Sequence, residues 1–265
     1  MESFTTKASK LFCLIFLSGL LGFAQCACAN IASYISLSSQ IARQTQLDVI
    51  ANNTANANTV GFEQDNLLLR PVPLKQDKKK DISFVWAETT YRSGDDGPLR
   101  RTNRPTDLAI AGSGYFKLRT PKGDRYTLDG SMIINNQGIL VNHSGFPYLS
   151  IEGAEIEIPN EWISIDISQN GVIFVDEEEV GQIGVFQFES ADPVIKEGKN
   201  LYAIQGKDRV LEDFTVISGA LRGSNVNATL AMAKMVEMQR AFGLVSGLVS
   251  KIEEVERSVI SKLAK

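Results

Sequence analysis

The chain has 265 residues, of which 43% are hydrophobic and 22% charged, and its formal net charge is −4. That is the composition of ordinary globular protein, with length for one large domain or two smaller ones. The negative balance excludes a nucleic-acid surface, because phosphate binding needs a clustered positive excess. The basic run Lys78-Lys79-Lys80 stands between Asp77 and Asp81 and reads as a solvated loop. All three cysteines, Cys13, Cys26 and Cys28, lie near the start. The rest of the sequence therefore holds no disulfide framework, thiolate metal site or cysteine nucleophile.

Residues 1–29 are expected to be a signal-peptide-like extension. Lys7 and Lys10 precede the apolar run Leu11 to Phe23, and Ala27-Cys28-Ala29 offers a small-residue cleavage site before Asn30. The run is shorter than the roughly 20 apolar residues of a membrane span.

Residues 30–68 are expected to form an N-terminal helix and its connector. Tyr34, Leu37 and Ile41 follow a three-four spacing, Gln44 interrupts it, and Leu47 and Ala51 resume it after a skip, beside Ile50. The helix is predicted to reach about residue 60, with Gly61 as a left-handed stop.

Residues 69–218 read as a β-rich domain. Strands are predicted at Ile82 to Trp86, Tyr115 to Leu118, Ser131 to Ile134, Glu155 to Ile158, Gly171 to Val175 and Val185 to Phe188. Turn signals such as Lys122-Gly123-Asp124, Asp129-Gly130 and Asn170-Gly171 separate them.

Residues 219–265 carry the second helix, predicted from about residue 226. Met235, Met238, Phe242, Val245, Val249 and Ile252 recur at alternating three and four. Glu256 breaks this seam, and Val259 and Leu263 resume it. The predicted fold class is α+β: two terminal helices pairing as a coiled-coil-like domain, with an irregular β-rich domain inserted between them. Packing of both helices back onto the β-rich domain is the alternative.

Four stretches carry a family resemblance. They are Leu47-Asp48-Val49-Ile50-Ala51-Asn52-Asn53-Thr54-Ala55-Asn56-Ala57-Asn58-Thr59-Val60-Gly61-Phe62, Asn103-Arg104-Pro105-Thr106-Asp107-Leu108-Ala109-Ile110-Ala111-Gly112-Ser113-Gly114-Tyr115-Phe116, Tyr126-Thr127-Leu128-Asp129-Gly130-Ser131, and Gly219-Ala220-Leu221-Arg222-Gly223-Ser224-Asn225 followed by Met235-Val236-Glu237-Met238-Gln239-Arg240-Ala241-Phe242. In this order they resemble the flagellar basal-body rod and hook family. Gly97-Pro98-Leu99 ahead of the second stretch looks most like the proximal-rod members, with the distal-rod members next.

The resemblance implies a structural subunit that polymerises helically and transmits torque, sited in the basal body within the periplasm. It implies partners that are copies of itself, other rod proteins, and the flagellar export apparatus or general secretion machinery. The contact residues it implies on the first helix are Leu37, Ile41, Leu47 and Ile50, then Asn52, Asn53, Asn56, Asn58, Gly61 and Phe62. Near the other end they are Asn225, Met235, Met238, Gln239, Arg240, Phe242, Val245, Val249 and Ile252.

Chemistry for catalysis is sparse. His143, the sole histidine, lies in the turn-like Asn142-His143-Ser144-Gly145, and no nucleophile-elbow pattern exists. Gly112 and Gly114 lack the third glycine of a dinucleotide fingerprint, since Lys117 stands there. Asp176-Glu177-Glu178-Glu179 reads as a solvated acidic loop, because a calcium chelate needs alternating ligands and a glycine turn. The expectation is a non-enzyme without cofactor, metal, nucleic acid or small-molecule substrate. The alternative is a secreted, adhesin-like binding domain with dimerising helices.

Overall fold

The computed structural model describes residues 35–74, 82–159, 161–188, 194–198, 200–204 and 206–263. The signal-like extension with its cysteines, and the basic run at 78–80, lie outside them. A first helix, α1, occupies residues 35–55. Strands β1 (Asp65–Leu74) and β2 (Ile82–Arg92) then form a two-stranded sheet of their own. Next come β3 (Leu99–Arg101), β4 (Leu108–Ala111), β5 (Tyr115–Thr120), β6 (Gly123–Thr127), β7 (Ile133–Ile134) and β8 (Leu140–Val141). They are followed by β9 (Ile165–Ile167), β10 (Val172–Val175), β11 (Glu178–Gln182), β12 (Val185–Gln187) and β13 (Val194–Glu197). The last strands are β14 (Leu201–Ile204), β15 (Arg209–Val210), β16 (Thr215–Ser218) and β17 (Ala220–Arg222), and the chain closes with α2 (Ala228–Leu263). The fold is α+β, as expected.

Contacts divide the chain into two compact units. Of the described residues, one unit contains those up to Ala51, those within Asn66–Tyr91 and those from Met232 onward; the other contains those within Asn52–Asp65 and Arg92–Ala231.

In the strand-rich unit the largest sheet runs β13-β14-β6-β5-β12-β15, and a smaller one runs β11-β10-β9. Alternation sets the core: β5 buries Phe116 and Leu118, while β10 buries Ile173 and Val175. These join Leu108, Met132, Tyr148 and Ile183 in one apolar cluster. Each such side chain contributes about 1.5–3 kcal/mol on burial. Tyr148 keeps its hydroxyl satisfied by donating to the Asp129 carbonyl at 2.8 Å. Glu155 to Ile158, predicted as a strand, supplies only isolated bridges, Glu155 to Leu149 and Glu157 to Ile139. The acidic run is half turn and half strand. Asp176 and Glu177 adopt positive φ in the β10–β11 connection, and Glu178 and Glu179 open β11.

In the helix-containing unit Leu37 and Ile41, expected on the apolar stripe of the first helix as contact residues, are 47% and 59% exposed. Ser36 and Ala42 are buried instead, and Leu47 and Ile50 are half-buried. At 3.6 residues per turn Ile41 and Ile50 fall on roughly opposite sides of the helix, so the skip at Gln44 marks a change of face. Helical structure also stops at residue 55, and turns fill the stretch to Gly61, whose φ of 66° is the expected left-handed stop.

The start of α2 is set by Asn227, whose side chain accepts from the Leu230 N–H at 3.0 Å. Met235, Met238, Phe242, Val245, Val249 and Ile252 are half-buried. Val259, where the sequence period resumes, is exposed. Strand β1 contains Pro71 and Pro73. Proline lacks a ladder donor, so a two-stranded sheet, where each strand has an open edge, tolerates it.

Candidate subunit-contact surfaces

Apolar residues lie on more than one side of α2, with different burial. The half-buried row from Met235 to Ile252 accounts for one side. Met232, Val236, Leu244, Leu248, Val255, Val259 and Ile260 are exposed large hydrophobics on the same helix. Beside them Gln239 and Arg240 are also exposed. A helix apolar on more than one side has more stripe than its own chain covers. On α1, Leu37 and Ile41 add exposed apolar surface.

The asparagine-rich segment behaves differently, because much of it is engaged inside the strand-rich unit. Asn53 is buried, donates to the Asp65 carbonyl at 2.7 Å and accepts from the Asp65 N–H at 3.0 Å. Asn56 donates to the Asn52 carbonyl and accepts from the Thr59 hydroxyl. The Gly61 N–H donates to the Arg222 carbonyl at 2.8 Å, joining the first family motif to the last. A Cβ on Gly61 would lie 2.5 Å from the Leu128 carbonyl carbon. Phe62 is buried with Val226 and Ala231. Asn225 accepts from the Gln64 N–H at 2.7 Å and donates to the Asp95 carbonyl at 2.9 Å. Asn52 and Asn58 alone of the expected asparagines are exposed.

A polar cluster missed in the sequence lies beside this segment. Arg92 donates to Glu63 at 3.1 Å and to the Tyr115 hydroxyl at 2.7 Å, and Tyr115 donates to Glu63 at 3.2 Å. Lys196 pairs with Asp65 at 2.9 Å and sits 3.7 Å from the centre of the Phe62 ring. Asn200 donates to the Val60 carbonyl at 2.6 Å. Burial, reinforced by the Glu63 carboxylate, pushes the Tyr115 phenol up to about 12. Tyr202, over which Arg92 lies at 5.3 Å, is raised for the same first reason. Glu63-Gln64-Asp65 directly after the motif was the local signal. Its partners stand up to 161 positions away, a separation that periodicity does not reveal.

Gly97 explains the short motif ahead of β3. A Cβ there would lie 1.9 Å from the Gly223 carbonyl oxygen, while the Gly223 N–H donates to the Pro98 carbonyl at 2.8 Å. Only a glycine lets these two backbones meet. His143 is exposed in a turn closed by Asn142, which accepts from the Ser144 and Phe146 N–H groups. Among the described residues no group of three or more His, Cys, Asp or Glu side chains could hold a metal ion, and no helix is long and apolar enough to cross a membrane.

Interlocked backbone motifs in one unit and helices with surplus apolar surface in the other define a structural, assembling class of protein. The chain belongs to the flagellar basal-body rod protein family. Residues 34–62 match the flagella basal body rod protein model, 109–175 the flagellar hook protein FlgE/F/G D1 domain, and 217–262 the flagellar basal body rod FlgEFG protein C-terminal model. Within the family it is most like FlgF. It is 33% identical to the flagellar basal-body rod protein FlgF of Caulobacter vibrioides, across 88% of this chain and 98% of that one. FlgF of Mesorhizobium japonicum is 31% identical, across 87% and 96%. FlgG of Bacillus subtilis is 30% identical, across 82% and 93%. The chain is thus a structural subunit of the basal-body rod, a role that entails assembly with other rod proteins.

Proposed function

We propose that the chain occupies the proximal part of the rod, stacks helically with copies of itself and with neighbouring rod proteins, and carries torque across the periplasm. The observation behind this reading is the exposed apolar stripe of α2. Left in water, a stripe of that size is a liability; covered by a neighbouring subunit, it becomes the main driving force for polymerisation. The half-buried row Met235, Met238, Phe242, Val245, Val249 and Ile252 is assigned to coiled-coil-like pairing with Leu47 and Ile50 of α1 in the same chain. Leu37, Ile41, Asn52, Asn58, Gln239 and Arg240 are assigned to contacts between subunits.

The role is structural and non-catalytic. Export precedes assembly, by the flagellar apparatus or by general secretion. The reading is tested by deleting residues 235–265 in cells. Loss of rods, with the strand-rich unit still resisting proteolysis, is the expected result; intact rods would overturn it.

A further inference from the structure

We propose that Trp162 and Ile163 frame a docking groove for a second copy of this chain, and that the segment it receives is the exposed strand β3, Leu99-Arg100-Arg101. The proposal rests on the assembly reading above and adds to it a contact made by the strand-rich unit.

Ile163 is 93% exposed and Trp162 45%, two large apolar side chains in succession on the surface. They line a groove of about 530 Å³ together with Met132, Ile133, Ile134 and Ile165. Solvation alone gives no reason to display such a tip. The tip is also held in place. The Asp176 carboxylate accepts from the Ile163 N–H at 3.0 Å and from the Ser164 N–H at 2.8 Å. Asp176 does this from φ 50°, with Glu177 beside it at 71°. Left-handed backbone at non-glycine residues costs on the order of 1 kcal/mol each and persists where the surroundings hold it. Preorganised apolar side chains lose little freedom on docking, which favours binding.

Charge selects the occupant. Register places Asp166 opposite Phe174, and Phe174 opposite Glu179, so these two carboxylates stand in one row across the small sheet. Glu161 precedes Trp162 in the chain, and Asp176, which bonds the Ile163 N–H, is followed by Glu177 and Glu178; all four are exposed. The groove is therefore apolar with an acidic surround, in which Arg104 is the cation among the lining residues. Its complement is an apolar side chain flanked by cations. Strand β3 presents Leu99, 50% exposed, followed by Arg100 and Arg101, both exposed. It pairs with β17 in a two-stranded sheet, so its other edge has no strand neighbour among the described residues. Each copy carries both halves of the contact. Opposite charges at the rim favour the correct encounter and register.

The test uses the full chain under reducing conditions, followed by sedimentation velocity. Ile163→Asp, the pair Arg100→Glu with Arg101→Glu, and the pair Glu178→Lys with Glu179→Lys are each expected to weaken self-association about tenfold or more. The four charge reversals combined in one chain are expected to restore it. Unchanged thermal unfolding shows that each variant is folded. Variants that associate like the parent overturn the proposal, as does a parent that stays monomeric at about 1 mM. Normal self-association joined to failed rods in cells overturns it too, since the occupant is then a different rod protein. The helix variant Leu244→Asp with Leu248→Asp separates the two readings. If it abolishes rods while the groove variants change nothing, the docking proposal falls and the rod assignment stands.

Discussion

Asn53 and the backbone of Asp65 form a closed two-bond ring, the side-chain amide donating to the carbonyl at 2.7 Å and accepting from the N–H at 3.0 Å. The ring folds the asparagine-rich segment back on the start of β1. Asn53→Ala leaves a buried donor and acceptor without partners, which costs about 1–3 kcal/mol. Asn53→Asp keeps the acceptor and loses the donor, and should cost as much. Urea unfolding of both variants checks this through the midpoint.

Gly61 and Gly112 both have positive φ but differ in space. A Cβ at Gly61 meets the Leu128 backbone at 2.5 Å, whereas at Gly112 nothing stands within 4 Å. Gly112→Ala should therefore cost only backbone strain, about 1 kcal/mol. Gly61→Ala should cost clearly more and pull β6 away from the motif segment. Calorimetry of the two variants side by side gives the ordering.

Tyr115 predicts an alkaline limit. Unfolded, its phenol titrates near ~10, and in the folded chain it is pushed up to about 12. The folded chain binds this proton more tightly. The corresponding stabilisation is complete below about pH 10 and is lost as pH rises through about 12, by roughly 2 kcal/mol. Buried Tyr126, Tyr148 and Tyr202 shift in the same direction. Stability measured by denaturant from pH 9 to pH 12 should fall, and Tyr115→Phe should make the fall shallower.

Leu118 and Leu248 separate folding from assembly. Leu118 is fully buried, so Leu118→Ala should cost about 2–5 kcal/mol. Leu248 is exposed on α2, and Leu248→Ala should stay within about 0.5 kcal/mol. Thermal unfolding reads the first difference. Rod yield from cells reads the second, and should drop for Leu248→Ala although its fold is intact.

The long terminal helices were legible because each repeats a strong local period, and Gly61 because a left-handed stop has its own residue preference. Strands β5, β10 and β12 were legible as short β-branched and aromatic runs. Strand β1 was not, since Pro71 and Pro73 argue against a strand unless it lies at the edge of its sheet. For Leu37 and Ile41 spacing says that they share a face of the first helix, but not whether that face meets its own chain or another. Glu63, Arg92 and Lys196 were invisible, as their pairing depends on strands brought together from distant positions.

The most direct measurement is the amount of this protein in purified basal bodies from cells carrying Leu244→Asp with Leu248→Asp, beside cells carrying the parent. The parent should be present as an integral rod component. The variant should be folded, with parent-like thermal unfolding, and missing from the basal bodies. A variant incorporated at the parent's level, or a parent absent from basal bodies, would contradict a rod subunit held in place by the exposed face of its C-terminal helix.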